Sequence, residues 1–118
     1  MNIEELTDRI RKICLSFPDT FEKLSHGAPT WFARGRTFVM FLDNHHGDGR
    51  VAIWCNAPPG AQAALVASDP KIFFVPPYVG PKGWLGIRLD RRPRWREITA
   101  LIEQAYRITG LKKKASIL

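Results

Sequence analysis

The stretch KIFFVPPYVGPKGWLGIRL, residues 71–89, has the pattern of two β-strands joined by a loop. Residues 71–75 form an apolar, β-prone run, and residues 84–89 alternate apolar with polar or small side chains. The loop between them contains three prolines, which restrict φ and remove backbone donors, so it should be stiff. We therefore expect a β-hairpin with a rigid tip. Tyr78, Lys82 and Trp84 make this tip a candidate for binding, and a surface hairpin without a binding role is the alternative.

Three strand patterns precede the hairpin, at residues 30–33, 36–42 and 50–55. The connections between them are short, so they should form an antiparallel meander. Residues 20–23, between the first helix and this meander, are interpreted as a loop or a single helical turn.

Three segments have the pattern of helices. Apolar residues from Ile3 to Cys14 follow helical spacing, residues 61–67 are rich in alanine, and a last helix follows Pro93 and should end at Gly110. The fold class is therefore α+β, with the order α-β(3)-α-β(2)-α. We expect a single antiparallel five-stranded sheet with its helices on one face.

The length of 118 residues fits one domain, 1–118, with a basic tail from about residue 111. The first residues are polar and acidic, unlike a signal peptide, and no apolar run approaches the ~20 residues needed to cross a bilayer. Cys14 and Cys55 stand alone, without the spacing of a metal site. These features predict a cytoplasmic protein with reduced thiols, no cofactor and no membrane partner.

The net charge of +7 is concentrated near the end of the chain. Residues 88–118 contain nine Lys or Arg and three acidic residues, whereas residues 1–87 contain nine and eight. This distribution favours a polyanionic partner such as nucleic acid, although basic termini also serve solubility.

Five motifs of the sequence resemble those of the MmcQ/YjbR family of small bacterial proteins. They are SHGAPTWF (25–32), MFLDNHHGDG (40–49), WCNAPPG (54–60), FFVPPYVGPKGW (73–84) and EQAYR (103–107). The resemblance implies a YjbR-like fold, grouped with secretion-chaperone-like folds. It also implies DNA binding through two hairpin loops, which here are the first loop, residues 44–49, and the second loop, residues 76–83.

DNA or another polyanion is the leading predicted partner, because these loops and the arginine-rich segment beyond them could contact a phosphate backbone. Tyr78 and Trp84 could stack on exposed bases. The predicted nucleic-acid-binding residues are Arg34, Arg36, Arg50, Lys82, Arg88, Arg91, Arg92 and Arg94.

A small ligand bound among aromatic and imidazole side chains is the alternative. The residues proposed for this pocket are His26, Trp31, His45, His46, Tyr78 and Trp84. A metal site is not predicted, because the histidine spacing fits no standard zinc pattern. A protein-interaction module, as a monomer or a homodimer, stays open because Trp31 and Trp84 border loops. No catalytic motif is present, so we expect a binding protein rather than an enzyme, and the idea of a dyad of Cys55 with His45 or His46 has little support.

Overall fold

The computed structural model describes the backbone of residues 1–117 and the side chains of residues 1–111. Two 3-10 turns, His45–Gly47 and Gly80–Lys82, lie in the first and second loops. The order of helices and strands is α-β(4)-α-β(2)-α. The elements are α1 (Ile3–Leu15), β1 (Thr20–Ser25), β2 (Ala28–Ala33), β3 (Arg36–Asp43), β4 (Val51–Cys55), α2 (Ala61–Ser68), β5 (Phe73–Phe74), β6 (Leu85–Arg88) and α3 (Trp95–Ile117).

The α+β class with one antiparallel sheet is confirmed, but the sheet has six strands, so the predicted number of five is wrong. Spatially the strands run β1-β2-β3-β4-β6-β5. The additional strand is β1, which the sequence suggested was a loop or helical turn. It pairs with β2 along all six of its residues, and Phe21 stacks on Phe32 with ring centroids 4.9 Å apart. Pairing with a neighbour outweighs the weak local pattern here.

The two strands of the predicted hairpin are shorter than expected. Only Phe73 and Phe74 form β5, paired with Ile87 and Gly86 of β6. The prolines that follow β5 lack the N–H groups that would extend the ladder. Most of residues 71–89 is therefore loop, and it lies over the sheet rather than projecting as a long hairpin.

All three helices pack on one face of the sheet, as predicted. The core between the helices and the sheet, called the helix-side core below, includes Trp31, which is 0% exposed. Its indole Nε1 donates to Glu22 Oε1 over 2.9 Å, and Arg11 Nε donates to the same oxygen over 2.7 Å. The hydrogen bond from Arg11 lowers the pKa of Glu22, which is therefore a carboxylate at neutral pH. This network fixes α1 to the first two strands.

The predicted start of α1 agrees with the structure, but the predicted end of α3 does not. Asn2 caps α1 in a capping box with Glu5, as the sequence indicates. Helix α3, however, continues through Gly110 to Ile117, so the predicted stop is wrong. Thr109 is buried and accepts a hydrogen bond from Asn56 Nδ2 over 2.9 Å, which holds this end of the helix against the strands and offsets the helix cost of glycine. The side chains of Lys112, Lys113 and Lys114 in the predicted basic tail lie outside the described residues.

The face of the sheet away from the helices has its own small apolar cluster. It consists of Leu42, Ala52, Trp54, Phe74 and Trp84, with Met40 and Val79 packed at its border. The first and second loops lie over this face. Of the helices in the described part of the chain, none has the length and apolar character needed to cross a membrane.

Candidate functional site

A cleft of about 1060 Å³ opens mainly on the face of the sheet away from the helices, and Thr109 of α3 borders it. Strand β3 contributes to it along its length, and the first and second loops border it. Its lining residues are Ser25, His26, Ala28, Arg36, Thr37, Met40, Leu42, Asp43, Asn44, His45, His46, Trp54, Asn56, Tyr78, Val79, Lys82, Trp84 and Thr109.

Aromatic rings form much of the cleft wall. Trp54 is the fourth of the five residues of β4, and its neighbours Ile53 and Cys55 face the helix-side core. The ring of His45 lies edge-on to Trp54 with centroids 4.8 Å apart, and Tyr78 lies edge-on to His45 at 6.0 Å. These contacts bring the first and second loops together over one strand.

The first loop is held in its conformation by its own polar groups. Asn44 Oδ1 accepts from the Gly49 amide over 2.8 Å, and Asp48 Oδ1 accepts from the Arg50 amide over 2.9 Å. Asn44 and His46 both have positive φ, at 55° and 50°. Such angles are costly for side chains other than glycine. This loop therefore stores some backbone strain while it presents its imidazoles to the cleft.

The second loop is anchored to α2. Gln62 Nε2 donates to the carbonyl of Gly80 over 2.9 Å and to that of Trp84 over 2.6 Å. Gly80 is buried, and a Cβ there would approach Cγ1 of Val75 to 2.7 Å, so a larger residue would require the valine side chain to move. Tyr78 projects from the loop with 72% of its surface exposed. These hydrogen bonds and the three prolines of the loop both favour a stiff backbone.

Two buried side-chain nitrogens at this cleft have no hydrogen-bond partner among the described residues. They are Trp54 Nε1 and His45 Nε2. Trp54 is only 3% exposed, so water does not reach its N–H freely. Buried polar atoms in folded proteins are nearly always hydrogen-bonded, which makes this pair a feature that needs an explanation.

The charges at the cleft are not balanced. Arg36 and Lys82 line it, and neither has an ion pair with an acidic side chain within the described part of the chain. Among the described residues that line the cleft, Asp43 is the one that is acidic, and it follows Leu42 at the opposite end of β3 from Arg36.

Five of the six residues proposed for a ligand pocket lie together on this cleft: His26, His45, His46, Tyr78 and Trp84. Trp31 does not, because its side chain is in the helix-side core. Trp54 lines the cleft although it is not one of those six residues. Both tryptophans on which a protein-interaction surface was suggested, Trp31 and Trp84, are buried rather than exposed.

The eight cations proposed for nucleic-acid binding do not share one environment. Arg36 and Lys82 line the cleft, and Arg91 and Arg92 are exposed in the turn before α3. The other four pair with acidic side chains. Their partners are Asp19 for Arg34 at 3.6 Å, Asp48 for Arg50 at 3.8 Å, Asp90 for Arg88 at 2.9 Å, and both Asp69 at 3.3 Å and Glu97 at 3.1 Å for Arg94.

The pairs around Arg50 and Arg88 form one neutral cluster beside the first loop. Arg50 also covers the ring of Phe74, with its guanidinium carbon 4.0 Å from the centroid. Arg88 donates to both carboxylate oxygens of Asp90 and, over 3.4 Å, to the carbonyl of Gly49. The hydrogen bond from Arg88 lowers the pKa of Asp90. These arginines therefore act mainly inside the fold.

Neither thiol is placed for nucleophilic chemistry. Cys55 lies in the helix-side core, on the opposite face of β4 from Trp54 and the cleft histidines, which excludes a dyad with His45. Burial raises the pKa of Cys55 to about 12 and that of Cys14 well above its usual range. Across the described residues, no group of three or more His, Cys, Asp or Glu side chains is arranged to hold a metal ion.

Comparison with known proteins identifies a family but no named relative. The YjbR family model matches residues 15–108, which include the whole sheet and most of α3. No curated protein matches the chain. Because the family model covers well over half of the sequence, the chain belongs to the YjbR family.

Proposed function

We propose that this protein binds a small organic molecule in the cleft. The observation that carries the proposal is the pair of buried, unpartnered nitrogens, Trp54 Nε1 and His45 Nε2, on two residues that line it. A ligand atom could accept this hydrogen bond from the indole once the side chains that cover the buried N–H move aside, and the ring of His45, with its centroid 4.8 Å from that of Trp54, is one neighbour of this indole. Leaving such a donor buried without a partner costs roughly 1–3 kcal/mol, so a ligand that satisfies it has a real energetic advantage.

The size and lining of the cleft support this proposal. Ligand sites are typically concave, on the order of 300–1,000 Å³, and combine apolar walls with a few polar groups. The cleft reaches the upper end of that range. Its walls are formed by Trp54, Trp84 and Met40, while amide and hydroxyl groups lie among them.

Binding without catalysis is part of the proposal. The cysteines are buried on the other side of the sheet, and the described residues of the cleft include one carboxylate, Asp43, rather than the pair used in much acid–base catalysis. A turnover-independent assay is therefore the appropriate test.

The variant Trp54→Phe is expected to weaken ligand binding by about three- to tenfold, because it keeps an aromatic ring but removes the N–H. A thermal-shift panel of aromatic and aliphatic carboxylates, phosphates and neutral amides would first identify compounds that raise the unfolding midpoint. Isothermal titration of these compounds against the wild type and Trp54→Phe would then give the change in affinity.

The matched control is Trp95→Phe, which makes the same chemical change on α3, where the tryptophan packs with the helix-side core. The affinity of this variant for the ligand should stay within about twofold of wild type, a smaller change than the loss of one hydrogen bond produces. A panel with no stabilising compound, or compounds that bind Trp54→Phe as tightly as wild type, would contradict the proposal.

Nucleic-acid binding is a second candidate, favoured by one observation. Arg91, Arg92 and Arg96 are exposed close together in sequence, before and at the start of α3, and have no acidic partner among the residues described. Exposed, unpaired cations are the groups that can replace counterions on a phosphate backbone.

If this second candidate is correct, the double variant Arg91→Ala/Arg92→Ala should reduce the slope of log K against log salt by about two for duplex DNA. Fluorescence anisotropy of a labelled duplex and a labelled single strand, titrated at several salt concentrations, measures the slope. Lys12→Ala/Lys23→Ala removes the same charge elsewhere and should leave the slope unchanged. A flat titration at low salt would eliminate nucleic acid as a partner.

A further inference from the structure

The two ends of the cleft differ in charge, and this difference indicates which class of ligand the cleft would bind. We propose that the ligand is an anion with a flat ring, with its charged group near Arg36 and Lys82 and its ring against Trp54. This inference rests on the proposed function of the cleft as a ligand site. It adds the chemical class of the ligand and its orientation.

Strand pairing places the cationic residues at one end. Arg36 begins β3, and the Asn56 amide donates to the carbonyl of nearby Phe38 over 3.1 Å, so Asn56 lies beside the first part of that strand. Trp84 directly precedes Leu85, which pairs with Cys55, the residue before Asn56. The start of β3, the end of β4 and the start of β6 therefore meet at the same end of the sheet.

Lys82 belongs to this end as well. It lies two residues before Trp84, and Gln62 in the first turn of α2 holds the carbonyls on either side of it, at Gly80 and Trp84. Helix α2 begins shortly after Asn56. Arg36, Lys82, Asn56 and the hydroxyl of Thr37 thus form a cationic end with additional polar groups.

The opposite end has different chemistry. Asp43 closes β3 about 23 Å from Arg36, by the rise per residue of a strand, and Asn44 follows it, whereas the ring of His45 turns back toward Trp54. A carboxylate or phosphate would be repelled by Asp43 and attracted by the unpaired Arg36 and Lys82. The charge distribution therefore orients an anionic ligand in one sense only.

The middle of the cleft suits a flat ring. Trp54 and Trp84 are both in the apolar cluster of this face, and Met40 packs beside them. Planar groups pack well on tryptophan faces and edges, whereas a flexible chain would lose more conformational entropy on binding. The unpartnered Trp54 Nε1 adds a donor that an oxygen or ring nitrogen of the ligand can accept from.

A pair of fluorescent probes isolates the role of charge. The probe 8-anilinonaphthalene-1-sulfonate is a flat aromatic anion, and N-phenyl-1-naphthylamine has the same rings without the sulfonate. We expect the anion to bind the folded protein at 1:1 stoichiometry and about tenfold more tightly than the neutral probe, because one charge-assisted contact distinguishes them. A raised unfolding midpoint in the presence of the anion shows that the folded state binds it.

The charge variants assign this preference to the cleft. Arg36→Ala/Lys82→Ala should bring the affinities of the two probes to within about twofold of each other. The control Lys12→Ala/Arg96→Ala removes two charges from the helix side and should keep the tenfold preference. Equal affinity of both probes for wild type would overturn the inference and leave the proposed function standing. Binding of neither probe, together with a silent thermal-shift panel, would overturn both. A preference abolished equally by the control would show that general surface charge, not the cleft, selects the anion, and would also overturn the inference.

Discussion

Replacing Trp31 with alanine is expected to lower the free energy of unfolding by about 3–5 kcal/mol, the range seen for large buried aromatic side chains. Trp31 is wholly buried between β2 and the helices. The substitution opens a cavity and also removes the N–H donated to Glu22. Arg11 would keep its contact with that carboxylate, so part of the network survives. The cavity is therefore the larger contribution.

Urea denaturation followed by circular dichroism gives the change in unfolding free energy. The comparison is Trp95→Ala, because Trp95 is only partly buried on α3 and has Arg9 stacked over its ring at 4.7 Å. This control should cost clearly less than Trp31→Ala. Equal decreases in the free energy of unfolding for the two variants would contradict the complete burial of Trp31. Trp31→Phe, a milder change, should remain folded and bind the cleft ligand normally, since Trp31 is not part of the cleft lining.

Gly86→Val is expected to destabilise the protein by about 3 kcal/mol, through a clash rather than a backbone effect. A Cβ at Gly86 would lie 2.5 Å from the ring of Phe74. The ring cannot easily move away, because the guanidinium of Arg50 covers it. Against this, replacing glycine reduces the entropy of the unfolded chain and favours the native state by roughly 0.4–1 kcal/mol. The clash is the larger of the two effects.

Thermal and urea denaturation of Gly86→Val, Phe74→Leu and the double variant form a cycle that isolates the contact. The leucine is smaller, so the cost of Gly86→Val should fall by more than about 1 kcal/mol in the Phe74→Leu background. Additive effects, or a Gly86→Val protein as stable as wild type, would contradict the close approach of Phe74. Gly80→Ala would not serve as a substitute test, since Gly80 also lies in the second loop and borders the cleft residues.

Much of the fold could be predicted because its strands and turns have strong local patterns. The meander, the alanine-rich helix and the capped first helix all follow from short-range signals in the sequence. Strand β1 could not be predicted because apolar and polar residues do not alternate regularly along its sequence. In the structure the consecutive residues Lys23 and Leu24 are both exposed. Helix α3 continues past Gly110, and the hydrogen bond of Thr109 with Asn56 beside this point joins residues 53 apart in the chain, which a local pattern does not show.

That Trp31 lies in the core while Trp54 lines the cleft could not be predicted, and the reason is physical. Strands buried on both faces read as continuous apolar runs, so their sequence does not show which residues face which side. A register shift in the pairing of β2 with β3, between Trp31 and Phe32, further obscures the alternation. Which arginines are paired could not be predicted either, because Arg88 and Asp90 are close in sequence but Arg94 and Asp69 are not.

The unequal ends of the sheet bear on how copies of this protein avoid joining through their strands. Strand β5 has two residues and is followed after Val75 by two prolines, so it offers almost no ladder to an incoming strand. Strand β1, at the other edge, has six residues and carries two charges that oppose the addition of another strand, from Glu22 and Lys23 near its middle. Any edge-to-edge aggregation of the folded chain should therefore begin at β1, and neutralising Lys23 would remove one of its two safeguards.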